Sequence, residues 1–551
     1  MKNIDSNLTL SNNLPIDINQ TSKDLEVSSS LTSNLNYLKG TYKSLISSDI
    51  NIKEFEIPIK NASVSAALFF IDGITNQTHI NDFILKPLLL KNSIQMNSQE
   101  NKTQNKQYEN NTNIPEKKTA KKNITVTVKK FNIEDFIFKK LIPESNIKKE
   151  NKFSEIIKYI NLGFTALLIN NLSTVFLIET KSTNQRSISP PLTEPIIKGA
   201  HQSFIENIRT NTALLRKIIN NENFIIENIT IGNITKTDVS ICYMSNITND
   251  NLVSEVKNRL NNLNIDYLLF PNNLENLIID NPRSIFPETS STERPDKAAL
   301  NILNGKIVLL INGVPYGIII PTLFTDYLSA AEDNNLNHFA SNFLKLIRIL
   351  SLFFALYLPG IYIAVTSFHQ ELIPTDLLFA IISARKSIPF PVIFEILIME
   401  FSFELLGEAS VRVSSSFSTT VGIIGALILG DAAVSANIVS PILIIIVAFT
   451  GISSFAIPDY SFKYSIRILR FGFILLGYFA GFLGIALGSF ILIAYLGSLS
   501  SFGISYIFPK TNTSSLFYNP VWKENFRKIF LNTKKTNLEK NTSMNWRNNN
   551  E

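Results

Sequence analysis

Cysteine and histidine are scarce in this sequence, and their scarcity limits the chemistry it can support. The chain has a single cysteine, Cys242, so it can form neither an internal disulfide nor a cysteine-based metal site. Only four histidines occur, at positions 79, 201, 338 and 369, and they are far apart along the chain. We therefore expect no histidine-rich metal site, and a reducing compartment suits the protein.

Motifs typical of enzymes are also lacking. We find no phosphate-binding glycine loop, no catalytic-triad spacing and no metal-ligand cluster. Asp431 lies in ILGDAA, which weakly resembles the Gly-x-Gly-Asp site of intramembrane aspartyl proteases, but position 428 is isoleucine and no second aspartate occupies another apolar run. We expect a protein that is not an enzyme and has no cofactor.

No run of lysines interleaved with aromatic residues occurs, although the formal net charge is +6 and the pI is about 9.0. The lysines are dispersed, and no zinc-finger, helix-turn-helix or RNP pattern occurs, so no nucleic-acid partner is expected. The first 20 residues have no apolar core like that of a signal peptide. The N-terminal half is therefore expected to stay on the cytoplasmic side.

Long apolar runs are confined to the second half of the chain. This distribution predicts an α/β cytoplasmic N-terminal region in two parts, followed by an α-helical transmembrane bundle. The predicted organisation is a disordered polar tail (1–34), a first soluble α/β subdomain (35–94), an Asn/Lys-rich linker (95–123), a second soluble α/β subdomain (124–335), a helical membrane domain (343–508) and a basic cytoplasmic tail (509–551).

Short runs rich in isoleucine and valine predict the strands of the soluble region. The predicted strands are 66–71, 163–169, 174–179, 224–231, 239–243, 306–311 and 316–320. The pair Asn312-Gly313 predicts a hairpin turn between the last two. Helical periodicity predicts helices over 202–219 and 252–263.

Five hydrophobic units follow in the second half. They cover 343–368, 389–406, two helices within 417–457 separated at Ala436-Asn437, and 471–496. Basic residues flank the set at Lys345 and Arg348, at Lys463, Arg467 and Arg470, and in the C-terminal tail, which predicts cytoplasmic N- and C-termini. Five crossings would put the termini on opposite sides, so we expect one unit to be re-entrant or interfacial, with 389–406 as the candidate.

That candidate segment carries acidic side chains in an apolar sequence, PFPVIFEILIMEFSFELLGE. Glu400, Glu404 and Glu408 recur every fourth residue, which places them along one helix face. Because an ionised carboxylate is costly in hydrocarbon, this face should meet protein or a water-filled path. Glu400, Glu404 and Asp431 are candidates for an ion pathway, and a structural role for the two glutamates is the alternative. For Glu408 we favour an ion pair with Arg412, one turn further on.

Small residues are spaced for close helix contact in two of the runs. Gly422 and Gly425 line one run, and Gly477, Gly481, Gly484 and Gly488 line the last. Glycines four residues apart let helix backbones approach each other. The spacing predicts tight packing within or between subunits.

Several separated stretches of the chain resemble the A subunits of GerA-type spore germinant receptors. The junction before the first apolar run carries the family signature Glu-Arg-Pro-Asp as Glu293, Arg294, Pro295 and Asp296. A second block resembles the family at Asn211 and Arg216, but Lys198-Gly199-Ala200-His201 stands where the family has Arg-Gly-Pro-Arg. Three blocks of the apolar half are similar too: LPGIYIAVTSFHQELIPTDLL, ARKSIPFPVIFEILIMEFSFELLGEASVRV and VGIIGALILGDAAVSANIVSP.

The resemblance covers about residues 36–530 and implies a multi-pass subunit of a nutrient receptor in the spore inner membrane. It implies a transporter-like B subunit and a lipoprotein C subunit as partners, and a homo-oligomeric pore through which germinant sensing releases ions. The alternatives are a paralogous germination protein associated with the dipicolinate channel, a non-conducting scaffold, and a secondary transporter. We find no inverted repeat of the kind expected for a transporter.

Overall fold

The computed structural model describes residues 25–59, 62–89, 142–144, 146–182, 190–191, 193–412 and 430–507. The chain divides into two compact units. Unit 1 consists of Met1–Arg186 and Thr212–Ile226, and unit 2 of Ser187–Asn211 and Glu227–Glu551.

Unit 1 is built on a five-stranded antiparallel sheet with strand order β1-β2-β4-β5-β3. Its strands are β1 (Ile50–Ile59), β2 (Ala62–Ile71), β3 (Ile147–Glu150), β4 (Phe164–Ile169) and β5 (Val175–Glu179). Its helices are α1 (Leu31–Thr41), α2 (Phe153–Asn161) and a helical segment formed by Gln77–His79, the π-helical Ile80–Leu85 and Lys86–Leu89. Ser30 begins α1 by accepting a hydrogen bond from the Ser33 amide, as N-cap residues do.

Both faces of this sheet are buried. Ala67 and Phe69 of β2 pack with α1 and α2, whereas Ala66 and Leu68 pack against the segment that contains Ile84. Successive side chains of a strand point to opposite faces, so an apolar strand without alternation is what a doubly covered sheet requires.

Two sequence predictions about this part of the chain need correction, and two strands were missed. The tail predicted over 1–34 is too long, because Val27 and Leu31 are buried and α1 begins at Leu31. The predicted boundary between 35–94 and 124–335 is also wrong, because β2 pairs with β4 across it. Strands β1 and β3 were not predicted. The linker 95–123 and the tail 509–551 lie outside the described residues.

Unit 2 contains a second five-stranded sheet with strand order β6-β7-β9-β10-β8. The strands are β6 (Phe224–Ile231, which begins in unit 1), β7 (Thr237–Met244), β8 (Ser290–Thr292), β9 (Ile307–Ile311) and β10 (Gly317–Ile320). The hairpin predicted at Asn312-Gly313 joins β9 to β10, and Gly313 has the positive φ of 87° that such turns favour. The helices of this part are α3 (Ile208–Ile218, shared with unit 1), α4 (Asp250–Asn261), α5 (Pro271–Ile278) and α6 (Pro295–Leu303).

The apolar half of unit 2 is helical. Its helices are α7 (His338–Phe368), α8 (Thr375–Arg385), α9 (Val392–Arg412), α10 (Pro441–Phe455) and α11 (Tyr460–Ser498), with residues 430–435 also helical. Short 3-10 turns cover Phe324–Leu328, Ala331–Asn334 and Gln370–Leu372, and a two-stranded hairpin, β11 (Ser500–Ser501) and β12 (Ile504–Ser505), follows α11. Two of these helices, α7 and α11, are long and apolar enough to cross a membrane.

Helix α11 is a helical hairpin rather than one straight rod. Gly481 has φ 58° and ψ −138°, which reverses the chain between the half 460–480 and the half 482–498. Phe286 contacts Phe462 of the first half and Tyr495 of the second, at ring-centroid distances of 5.8 and 6.4 Å. In a straight helix those two residues would be roughly 50 Å apart, at 1.5 Å per residue. The sequence prediction of one unit over 471–496 therefore counted two helices as one.

Candidate functional site

Acidic side chains of α9 and basic side chains of α11 form a charged seam within the helical region. We use this name for Glu400, Glu404, Arg467 and Arg470. The acids are four residues apart and the arginines three apart, so each pair projects from one face of its helix. The two negative and two positive charges balance.

Glu400 and Arg470 form the buried end of this seam. Arg470 Nη1 lies 2.9 Å from Glu400 Oε2, and the two side chains are 1% and 0% exposed. The contact is an ion pair without hydrogen-bond alignment, since both Glu400 oxygens and the Nε and Nη1 atoms of Arg470 lack a hydrogen-bond partner among the described residues. Two opposite charges are thus buried with part of their hydrogen-bonding capacity unused, so their burial costs desolvation free energy. Separating them would also cost free energy, because each would become an uncompensated buried charge.

Glu404 and Arg467 form the more open end. Glu404 Oε1 accepts hydrogen bonds from Arg467 Nε at 2.9 Å and from Arg470 Nη2 at 2.8 Å, and Arg467 Nη2 pairs with the second oxygen, Oε2. These side chains are 22% and 13% exposed. Arg470 therefore serves both acids, and α9 is attached to α11 at two successive turns.

The other faces of α9 carry one more buried, paired glutamate and a set of exposed apolar side chains. Glu395 is 1% exposed and lies 3.2 Å from Arg385 of α8, and it accepts the Ser440 amide at the start of α10. On the outer side of α9, Phe394, Phe401 and Leu405 are 55%, 60% and 55% exposed. The carboxylates of the seam thus face other helices, and the apolar side chains face outward.

The remaining sequence candidates are more scattered. Asp431 is exposed and makes no ion pair with any described residue. Glu408 is also exposed, and the side chain of Arg412, its predicted partner, is outside the described set, so that pair stays a prediction. Gly422 and Gly425 lie outside the described residues. Sequence reasoning assigned Arg467 and Arg470 only to the flanking positive charge; their three-residue spacing places both on one helix face but does not indicate which acids they pair with.

Three of the predicted packing glycines, Gly477, Gly484 and Gly488, lie in close contact with neighbouring helical segments. A Cβ atom on Gly477 would lie 2.5 Å from the Gly360 carbonyl oxygen of α7, and one on Gly360 would lie 2.7 Å from the Phe473 carbonyl oxygen. Gly484 and Gly488 pack against the first half of the hairpin, at Leu476 and Phe473. Gly481 makes the reversal itself, so its role is the turn.

A segment comprising residues 280–290, which we call the junction segment, connects the second sheet to both ends of the α11 hairpin. Ser465 donates to the Ile285 carbonyl (2.5 Å) near one end, and Tyr495 donates to Ser284 Oγ (3.1 Å) near the other. Ser500, just after the hairpin, donates to Asp280 Oδ2 at 2.8 Å. A displacement of this segment would therefore be transmitted to both halves of the hairpin.

Buried aromatic residues pack around the junction segment and hydrogen-bond to it. Tyr327 stacks on Phe462 with ring centroids 5.2 Å apart and donates its hydroxyl to the Pro287 carbonyl at 2.7 Å, a carbonyl that also accepts Tyr506 at 2.9 Å. Burial raises the pKa of the nearby Glu288 carboxyl, although hydrogen bonds from Asn281 and Asp280 oppose the shift. Aromatic contacts of this kind strengthen packing beyond their area.

Two of the four signature residues, Glu293 and Arg294, hold a turn of the chain that precedes β6 through hydrogen bonds to its backbone. Arg294 is fully buried and donates to the carbonyl oxygens of Glu194 and Ala200, at 3.3 and 3.0 Å, while pairing with Asp296 at 2.6 Å. Glu293 Oε1 accepts from the Glu194 amide at 3.1 Å, and Pro295 begins α6.

Because Arg294 contacts backbone atoms, the departure Lys198-Gly199-Ala200-His201 leaves these hydrogen bonds intact. Nearby, Asn211 holds Ile205 by accepting its amide at 2.8 Å.

Arg216 lies in unit 1, where it neutralises a buried acid. Its Nε and Nη2 atoms lie 2.9 and 2.6 Å from Asp49 Oδ2, its guanidinium lies 4.7 Å from the centroid of the Phe224 ring, and the two charged side chains are 1% and 4% exposed. Arg216 therefore stabilises unit 1 by compensating the buried charge of Asp49.

We expect Arg216→Met to destabilise unit 1 by about 3–5 kcal/mol, because it leaves Asp49 buried without a counter-charge. Hydrogen–deuterium exchange of the full-length protein in detergent should show β1 and β2 exchanging at least about 100-fold faster. Lys217→Met, a substitution at the exposed neighbour, is the matched control and should change exchange little. Equal protection in the two variants would contradict the assignment.

The chain thus combines α/β sheets with a region of apolar helices in which α9 and α11 are joined by paired charges. The Bacillus/Clostridium GerA spore germination protein family matches residues 36–532. The chain belongs to this family.

Curated relatives agree with the family match. The chain is 34% identical over 487 residues to spore germination protein KA of Bacillus subtilis (strain 168), covering 87% of this chain and 83% of the relative. It is 35% identical over 387 residues to spore germination protein GerLA of Bacillus cereus, covering 70% and 78%. The crystal structure of the N-terminal domain of the A subunit of the Bacillus megaterium germinant receptor GerK3 matches with 29% identity and a TM-score of 0.37, covering 54% of this chain and 98% of that one.

Proposed function

We propose that this chain is the A subunit of a nutrient germinant receptor in the spore inner membrane, where it converts germinant sensing into ion release. Its proposed partners are a transporter-like B subunit, a lipoprotein C subunit and further copies of itself that complete a pore. Family membership supports the role in germination. The observation that carries the mechanism is the junction segment, which contacts both halves of the α11 hairpin.

A multi-pass topology with cytoplasmic α/β units and termini fits this proposal. The half 460–480 spans roughly 30 Å and the half 482–498 roughly 25 Å, so the hairpin can enter the bilayer and return. Outward side chains of the second half, Leu483, Phe490 and Ile491, are 68%, 73% and 66% exposed, as a surface in contact with lipid would be. If the hairpin counts as two crossings, the five apolar units predicted from the sequence give an even number of crossings. The re-entrant 389–406 segment, which was proposed to make the number even, is then not needed.

The charged seam is proposed as the closed state of the ion pathway. With Glu404 paired to Arg467 and Arg470, its carboxylate is not available to passing cations. If the junction segment shifts the hairpin relative to α9, the acids separate from the arginines and face the space between subunits. A receptor that favours the shifted arrangement when germinant is bound would then open the path. Asp431, being exposed, is retained as a further pathway candidate.

Opposite substitutions across the seam test this proposal. Arg467→Gln removes one of the two arginines that restrain Glu404, so cation release without germinant should rise by about tenfold. Glu404→Gln removes the carboxylate and leaves an uncompensated arginine, so germinant-triggered cation release should slow by about tenfold, as should Glu400→Gln combined with Glu404→Gln. Cation efflux from spores with matched protein levels is the measurement.

Exposed Glu408→Gln is the control for this experiment and should behave like the parent. A purely structural pair would make both single variants fail in the same direction, and unchanged release from the double variant would remove the acids from the pathway. Germinant-dependent ion flux through purified, reconstituted complexes then separates a conducting subunit from a scaffold.

A further inference from the structure

A cavity of about 330 Å³ lies between the end of α7 and helix α8. This end of the bundle is remote from the junction segment, since Phe368 at the end of α7 lies beside Gly481 at the turn of the hairpin. The volume lies at the lower end of the range of ligand sites in proteins. Nothing in the seam or the junction segment uses this cavity.

One wall of the cavity is apolar and continues onto the outer surface of α8. Leu378, Ile381 and Ile382 line the wall. Beyond them, Leu377 and Phe379 are 50% and 69% exposed. A contiguous apolar surface that leads into a cavity suits a ligand with a long apolar part.

The rest of the lining is mainly polar and basic. It includes Thr366, Gln370, Arg385 and Lys386, and none of the described lining residues is acidic. Arg385 is paired with Glu395, whereas Lys386 makes no ion pair with any described residue. The charge that remains for a ligand is therefore the Lys386 ammonium, a group that binds phosphate as a point charge.

We propose that this cavity binds one phospholipid with an anionic headgroup, its phosphate at Lys386 and an acyl chain along Leu378 and Ile382. A free phosphate ion would use Lys386 but leave the apolar side chains uncovered, so the lipid accounts for both the basic and the apolar part of the lining. Glu371 and Asp376 are exposed on the same stretch of chain but do not line the cavity. The proposal rests on the membrane crossing of α7 put forward above.

Native mass spectrometry of the full-length protein in detergent tests the site. Phosphatidylglycerol, diacylglycerol with the same acyl chains, and inorganic phosphate are added separately. The parent should retain phosphatidylglycerol at about fivefold lower lipid concentration than Lys386→Gln, and Lys386→Arg should restore retention. Leu378→Trp, which fills the cavity and keeps the charge, should also lose the lipid. Lys217→Gln, at an exposed lysine outside the cavity, is the matched control.

Three results would overturn the lipid site. These are equal retention of phosphatidylglycerol by the parent and Lys386→Gln, equal retention of the uncharged diacylglycerol, and displacement of the lipid by inorganic phosphate. Carbonate extraction of the membranes is run alongside. If the protein is released by carbonate, the proposed membrane crossing fails; if it resists carbonate but shows no lipid selectivity, only the lipid site fails.

Discussion

Gly477→Ala is expected to lower the free energy of unfolding of the helical bundle by about 2–3 kcal/mol. The added methyl group would lie 2.5 Å from the Gly360 carbonyl oxygen and 3.3 Å from its Cα atom, so it would meet backbone rather than a side chain that can rotate away. Helices α7 and α11 would have to separate along their contact. Unfolding of the detergent-solubilised protein by SDS titration, followed by far-UV circular dichroism, measures the loss.

Gly472→Ala is the matched control for that substitution. It lies on the same half of the hairpin, and a Cβ atom there meets nothing within 4 Å. Because alanine favours helix over glycine, this variant should be as stable as the parent or slightly more stable. If Gly472→Ala destabilises as much as Gly477→Ala, the loss is not caused by the contact between the two helix backbones.

Arg470→Met should have the largest effect of any single substitution in the seam. It leaves Glu400 without a counter-charge at 0% exposure, and removing one partner of a buried ion pair costs about 3–5 kcal/mol. Glu400→Gln should cost less, because Arg470 retains its 2.8 Å hydrogen bond to Glu404. The same SDS titration gives the order of stabilities.

A double replacement separates charge from shape at this position. Glu400→Met combined with Arg470→Met removes both buried charges, so it should recover most of the stability lost in Arg470→Met. A double variant that is as unstable as Arg470→Met alone would mean that packing volume, and not the uncompensated carboxylate, causes the loss. Glu408→Gln, at an exposed position of the same helix, should leave the titration unchanged.

Secondary structure was predictable where local pattern and burial agree. The strand predicted over 224–231 has those bounds, and the strand predicted over 163–169 lost only its first residue, because short apolar runs bounded by polar turns have few alternative structures. The mixed sequence of β1, INIKEFEIPI, escaped prediction because its place in the sheet depends on pairing with β2.

The candidate site was predictable in its acids but not in their partners. The four-residue spacing of Glu400 and Glu404 is sufficient to place both on one helix face. Their partners lie more than 60 residues away along the chain, and a sequence carries no distance information over such a separation. For the same reason the sequence could not show that Glu400 is fully buried and forms an ion pair with Arg470.

Composition and periodicity by themselves determined that this protein has an α/β part rich in short apolar strands and a helical part with acids inside apolar runs and closely spaced glycines. These properties are local, because they depend on residues within a few turns or on one strand. Tertiary structure alone decided that β2 and β4 share a sheet, that Gly481 folds α11 back on itself, and that two arginines of that hairpin neutralise the acids of α9. Each of these depends on which distant surfaces pack together, and packing is chosen by the whole chain at once.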